Sequence, residues 1–247
     1  MFGHDCENGK GRTFVLIPGG WCGGWCWKPV TERLEAAGHR AFPVTFTGSG
    51  DRAHLLSPEV SLETYVLDIL NLIRYNDLSD VVLAAHSMGG APAVMVLDRI
   101  PDSIRHMVFV DSLLPVDGES ALDLVPPEEA ARRRTLVEQG DGMSLPVPAG
   151  VHFASEAVRD WFISHMTPQP LRPYEDRVRL DHAPGNGVPA TYLACTPPRL
   201  PAVISSAARA RRMPGWRYEE IVSGHNVQIH RPDDVAAILI AASRLER

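Results

Sequence analysis

Residues 84–90 read Ala-Ala-His-Ser-Met-Gly-Gly. An apolar run from Asp80 to Ala85 precedes the serine, and a helix-like run from Met88 to Arg99 follows it. This is the shape of a nucleophile elbow, a sharp strand-to-helix turn that lifts a serine hydroxyl into an open site. Small neighbours are required there, because a Cβ branch would strike the strand or the incoming helix. On this reading Ser87 is an attacking atom. A serine hydroxyl is a weak nucleophile until a base takes its proton. The rest of the chain must then supply a base, an acid and donors for a developing oxyanion.

The base is expected last in the chain for a strand–helix order of this kind. His225, in Ser223-Gly224-His225-Asn226, follows the final strand-like run, Arg217 to Val222. His230 reads as a surface or capping histidine. His86, beside the nucleophile, reads as a buried packing residue.

The elements that must position these groups follow from periodicity. Thr13 to Ile17 is an unbroken apolar run ending in Pro-Gly-Gly, as in a strand buried on both faces. A helix is expected over Trp27–Ala37, closed by Gly38, and a strand over Arg40–Phe46. A second helix spans Leu62–Tyr75, with Ser61 as its N-cap. Further strands are expected at Arg105–Asp111 and Val188–Cys195, and helices near Val203–Met213 and Asp233–Leu245. Strands alternating with helices imply a parallel sheet with right-handed crossovers.

Between Leu113 and Gly187 the alternation stops, and the chain is Pro-rich with helical patches and no clear strand. Pro126-Pro127-Glu128-Glu129 opens one helix, since proline and carboxylates suit a first turn. Ser155–Met166 reads as another. A block of about 75 residues is too long for a plain loop. It is expected to lie over the C-terminal edge of the sheet, where open α/β sheets bind ligands. The expected fold class is therefore α/β: a mainly parallel, twisted sheet flanked by helices, with a helical cap. Residues 1–12 form a flexible tail, 13–112 and 187–247 the core, and 113–186 the cap.

With these motifs in order, the chain resembles the α/β-hydrolase superfamily, in the small esterase branch of plant methyl esterases, hydroxynitrile lyases and their bacterial esterase relatives. The likeness rests on Phe14-Val-Leu-Ile-Pro-Gly-Gly, Gly23-Gly24-Trp25-Cys26-Trp27, Ala36-Ala37-Gly38-His39, Thr47-Gly48-Ser49-Gly50-Asp51-Arg52, His86-Ser87-Met88-Gly89-Gly90 and Gly224-His225. It implies an oxyanion hole made by the amides of Gly20 and Met88, each donor worth roughly 10² to 10³ in rate.

Three departures from the family pattern stand out. Ala85 replaces the first glycine of the elbow and is small enough for the turn. Pro18-Gly19 replaces His-Gly after the first strand, which changes the pocket wall at Gly19. The acid usual after the strand Val188–Cys195 is missing, because no Asp or Glu occurs from Ala183 to Tyr218. Asp111, ending the fourth strand, is the replacement expected to orient His225 and stabilise its imidazolium. The competing reading makes Asp111 a cap for the following turn.

Trp21 is expected to face the substrate, and Leu113, Leu114, Phe153, Trp161, Phe162 and Met166 to contribute to the pocket from the insertion. Residues 113–187 hold 7 Arg and 12 Asp or Glu, a net charge of −5, which disfavours a strongly anionic substrate. The lyases of the branch carry Thr and Lys where this chain has Gly19 and Asn226. Asn226 has no charge to stabilise a cyanide leaving group, so hydrolysis is favoured. Ser87 excludes the branches that need a carboxylate nucleophile.

The expected activity is serine-dependent hydrolysis of a small to medium, largely apolar or aromatic carboxylic ester. Amide, thioester or C–C cleavage, lyase chemistry, and ligand binding without catalysis remain open. The chemistry calls for no cofactor and no metal. Cys22 and Cys26 lie four apart without a second ligand pair and read as buried thiols. The net charge of −6 argues against nucleic acid. No apolar run reaches the roughly 20 residues needed to span a bilayer. The expected setting is a cytoplasmic monomer or homodimer acting on a small-molecule ester.

Overall fold

The computed structural model describes residues 11–148, 150, 151, 153, 155–196 and 200–245. Of the expected N-terminal tail only Gly11 and Arg12 fall in this range. Arg12 is tied down: its carbonyl accepts from Arg40 N at 2.8 Å and its guanidinium bonds Asp80 at 3.2 Å.

The elements run in the order β1 (Thr13–Ile17), α1 (Lys28–Ala36), β2 (Arg40–Pro43), α2 (Leu62–Tyr75), β3 (Val81–His86), α3 (Gly90–Arg99) and β4 (Ile104–Val110). The insertion follows, with α4 (Pro127–Gln139), β5 (Ser144–Leu145), α5 (Glu156–His165), β6 (Gln169–Pro170) and α6 (Arg172–Glu175). The chain then returns to β7 (Ala190–Thr196), α7 (Ile204–Ala210), β8 (Arg217–Val222), α8 (Val227–His230) and α9 (Pro232–Ala242). The main sheet has the order β2-β1-β3-β4-β7-β8, and every neighbouring pair is parallel.

The period of two along each strand divides the core. Val15, Ile17, Leu83, Ala85, Met107 and Phe109 face α2, α3 and α7 on one side. Phe14, Leu16, Val82, Ala84, Val108 and Val110 face α1 and α9 on the other. Central strands buried on both faces read as continuous apolar runs for this reason. The outer strands carry Arg40 and Pro43 at one edge and Arg217, Glu219 and Glu220 at the other, residues that discourage edge-to-edge association.

Local signals set several boundaries. Ser61 Oγ accepts from Thr64 N at 3.2 Å, and Thr64 Oγ1 accepts from Ser61 N at 3.1 Å, a complete capping box opening α2. Pro127, Glu128 and Glu129 form the first turn of α4. Other expectations change. β2 stops at Pro43, which has no N–H to donate. Gly24–Trp27 and Ser87–Gly89 are 3₁₀ turns leading into α1 and α3 rather than α-helix. The insertion, read as free of strands, contains the antiparallel pair β5–β6. Two residues a side are too short to show a period.

Trp25 anchors the insertion, meeting the rings of Phe162 at 5.1 Å and Trp161 at 5.5 Å, both edge-on. Among the described residues no helix is long and apolar enough to cross a membrane.

Candidate active site

The groups singled out in the sequence meet at the C-terminal edge of the sheet. Gly20 follows β1, Ser87 follows β3, Asp111 follows β4 and His225 follows β8. Ser87 sits at the elbow with φ +52°, a left-handed conformation that non-glycine residues seldom adopt. A Cβ on Gly89 would stand 2.5 Å from Pro18 O and 2.8 Å from Ile17 Cγ2, and one on Gly90 would overlap the Leu113 carbonyl. Both positions therefore exclude any larger residue. The Ser87 carbonyl is held from β4's exit by Ser112 Oγ at 2.8 Å and Leu113 N at 2.9 Å.

His225 bridges the other two groups. Its Nε2 lies 2.9 Å from Ser87 Oγ, and its Nδ1 lies 2.6 Å from Asp111 Oδ2. An ionised carboxylate only accepts, so Nδ1 carries the proton and Nε2 is free to accept from the serine hydroxyl. Asp111 is 1% exposed and also has a left-handed backbone, φ +42°. Its N–H donates to Leu193 O at 2.7 Å and its Oδ1 accepts from Cys195 N at 3.1 Å. The carboxylate thus faces β7 with one oxygen and His225 with the other. Burial, with the Asp111 charge added, pushes the Cys195 thiol far above its usual range.

His86 lies behind this line, its ring 4.6 Å from that of His225. Its Nε2 is 2.9 Å from the His225 carbonyl, an acceptor, so Nε2–H donates. Gln228 Nε2 stands 3.3 Å from the remaining nitrogen, Nδ1. Burial holds the His86 pKa well below the usual histidine value, which keeps the ring neutral. A Gln228–His86 pair therefore clamps the backbone of the residue that bridges Ser87 and Asp111.

Above the edge lies a cavity of about 790 Å³, with Gly20, Trp21, Ser87, Met88, Leu113 and His225 on its floor. Val125, Leu136, Leu145, Phe162 and Met166 close it from the insertion. Trp21 lines it as expected, whereas Trp25 and Trp27 do not. Leu113 and Phe162 also line it. Four expected residues stand elsewhere. Leu114 is fully buried beside α7, with its N–H on Ser206 Oγ at 2.9 Å, and does not reach the cavity. Trp161 lies on the outer side of α5, 37% exposed. Gly19 lies beneath Ser87 rather than in the wall, where a Cβ would come 2.9 Å from Ser87 Cβ. Phe153 packs on Phe162 and His230 and does not line the cavity either.

Four further residues shape the site. Gln169, 1% exposed on β6, accepts from Trp21 N at 2.7 Å and donates to Tyr65 Oη at 2.5 Å. Trp21 itself has φ +61°, and its carbonyl accepts from Thr167 N at 3.1 Å. The insertion therefore grips the loop after β1 at both backbone groups. Tyr174 and Arg133 line the cavity. The fourth is Gln228, one helical turn past His225. That spacing is the only cue the sequence offers to any of the four.

A histidine held between a carboxylate and a serine hydroxyl can take the hydroxyl proton and return it to a leaving group. Residues 14–238 match the model of the alpha/beta hydrolase family. The chain belongs to the alpha/beta hydrolase family. Among curated proteins, this hydrolase is 34% identical to a carbendazim hydrolyzing esterase of Nocardioides sp. (strain SG-4G) over 93% of its own length and 98% of the relative's. It is 37% identical to methylesterase 4 of Arabidopsis thaliana over 44% of its own length and 42% of that chain. Among solved structures it is similar to an extracellular alpha/beta-hydrolase from a Paenibacillus species that shares structural and functional homology with tobacco salicylic acid binding protein 2. The TM-score is 0.82 at 25% identity, covering 95% of the hydrolase and 100% of that chain. By these relationships the hydrolase is a carboxylic ester hydrolase.

Proposed function

We propose that this hydrolase is a serine esterase that cleaves a small to medium, largely apolar or aromatic carboxylic ester, a methyl ester among them, through an acyl-enzyme. The observation that carries the reading is His225 standing between Ser87 Oγ and Asp111 Oδ2 at 2.9 and 2.6 Å. His225 Nε2 takes the hydroxyl proton as Ser87 Oγ bonds to the ester carbonyl carbon, and the carbonyl electron pair moves to oxygen. The amides of Gly20 and Met88, both residues at the cavity floor, hold that oxyanion. As the carbonyl re-forms, the C–O bond to the alcohol breaks and His225 protonates the departing oxygen. Water then repeats the sequence on the acyl-serine and frees the acid.

The mainly apolar cavity supports an apolar acyl or alcohol portion. The methylesterase named among the relatives supports a methyl ester. Asn226, at the cavity wall, carries no charge for a cyanide leaving group, which favours hydrolysis over lyase chemistry.

A fluorophosphonate probe with peptide mass mapping tests the mechanism. Labelling is expected on Ser87 and absent from Ser87→Ala. Folded wild-type protein that takes no label would sink the reading. A panel of p-nitrophenyl and methyl esters of graded acyl size then defines the substrate.

A further inference from the structure

Tyr174, on α6 of the insertion, is 2% exposed, and its ring lines the cavity. Its hydroxyl stands over Gly20, occupying the place a Cβ on that residue would take, with Cζ 3.4 Å from the same point. Gly20 is the residue whose amide is read as an oxyanion donor. Among the described residues the Tyr174 hydroxyl makes no hydrogen bond, and the residue borders the cavity.

The Arg133 guanidinium and the Trp21 ring flank the Tyr174 ring, the two ring centres 6.3 Å apart. The Arg133 guanidinium lies 5.3 Å from the Tyr174 ring centre and 5.8 Å from that of Trp21, and Arg133 Nε donates to Glu129 Oε1 at 2.8 Å. A phenol without a protein acceptor, fixed beside Gly20 at the cavity, can donate to an oxygen of a bound ester.

We propose that Tyr174 is a side-chain donor of the oxyanion hole, its O–H pointing at the ester carbonyl oxygen alongside the Gly20 and Met88 amides. The inference rests on the esterase reading of Ser87 and His225. The phenol keeps its proton throughout. As Ser87 Oγ bonds to carbon and the carbonyl pair moves to oxygen, the hydrogen bond shortens and strengthens, and it relaxes when the carbonyl re-forms. Burial pushes the Tyr174 pKa up to about 12, so the proton is in place across the working range. The neighbouring Arg133 charge opposes that rise and sharpens the donor. Replacing Gly20 by any larger residue would push the hydroxyl away.

The test is Tyr174→Phe, assayed on p-nitrophenyl butyrate, with inhibition by an aliphatic trifluoromethyl ketone. The ketone adds to Ser87 and leaves an oxyanion in the hole. The expected result is a kcat loss of about 10²-fold with KM within about threefold, in the range seen for one oxyanion donor. The ketone should weaken by a similar factor while product acid binds unchanged. A kcat within threefold of wild type would overturn the proposal. So would a raised KM with kcat intact, which would mark a ground-state anchor. Wild type and Ser87→Ala are run beside it. An inactive wild type overturns the esterase reading itself, whereas an active wild type, a dead Ser87→Ala and an unaffected Tyr174→Phe overturn only the role of Tyr174. If Tyr174→Phe melts far below wild type, the Gly20→Ala/Tyr174→Phe double variant, in which a methyl takes the space of the lost hydroxyl, provides the same kinetic comparison. Its kcat should match that of an enzyme lacking one donor, and wild-type turnover in it would overturn the proposal.

Discussion

Asp111 reaches His225 across 114 residues of chain, Oδ2 to Nδ1 at 2.6 Å, while its other oxygen caps Cys195 N at 3.1 Å. One oxygen thus stands at His225, as the acid reading expects, whereas the cap expected for the following turn is not made: the other oxygen takes its donor from β7, and Leu113 N bonds Ser87 O instead. The strand that follows in the sheet, β7, is where the acid is usual in the family, and here it supplies a donor to Asp111 instead.

Asp111→Asn separates these roles. The Asn oxygen can keep the bond to Cys195 N, but its amide hydrogens face His225 Nδ1 and force the wrong tautomer. A kcat loss of about 10⁴-fold is expected, as in the corresponding change of the serine-protease triad, with an unchanged far-UV circular dichroism spectrum. Activity within tenfold of wild type would leave Asp111 only its capping role.

Gln169→Leu should loosen the loop after β1. It strips the partner from the partly buried Trp21 N and leaves the buried Tyr65 Oη only Ser49 Oγ at 3.5 Å; an unmet buried group costs about 1–3 kcal/mol. Thermal melts should show a drop of several degrees. Steady-state kinetics should show kcat falling more than KM rises, because Gly20 adjoins the released segment. A change in neither quantity would show that Gln169 does not hold the loop.

The elbow should tolerate its neighbours unequally. Gly89→Ala places a Cβ 2.5 Å from Pro18 O, against backbone that cannot yield. Loss of soluble protein or of fluorophosphonate labelling is expected. Ala85→Gly only removes a methyl from a strand and should cost about 0.5–1 kcal/mol, with labelling retained. Equal behaviour of the two variants would contradict the close approach at Gly89.

Stability should fall on mild acidification. His86 is held well below its ordinary pKa, mainly by burial. Burial, aided by the Arg217 charge, lowers His106 to about 4. When folding depresses a base's pKa, the unfolded chain binds the proton first, so stability is full above about 6.5 and declines as pH falls toward the folded value. Urea midpoints should drop between pH 6.5 and 4.5, above the range in which most carboxylates titrate. His106→Gln should flatten part of that slope. A midpoint equal at both ends in wild type would refute the assignment.

Much of the fold is legible in short stretches of sequence. The run Thr13–Ile17 becomes a central strand whose alternate residues feed two cores, and Ser61 caps α2 as its side chain dictates. Ser87 and His225 are readable for a similar reason. A tight turn needs small residues beside the serine, and a histidine just past the last strand returns to the same sheet edge. These signals are set by steric and hydrogen-bonding rules acting over a few residues.

The rest was decided by tertiary structure. Leu114 and Trp161 are apolar residues of the insertion, as Leu113 and Phe162 are, and hydropathy alone cannot say which two face the cavity. The direction of α5 and the exit path of β4 decide it. Gln169, Tyr174, Arg133 and Gln228 stand in no motif, because each acts on groups brought to it by the closed sheet and the docked insertion. The sequence by itself determined the alternating fold and the placement of Ser87 and His225 at one sheet edge, through rules that act locally. The shape of the pocket and the partners of Asp111 came from contacts between residues tens to more than a hundred positions apart, which only the packed chain brings together.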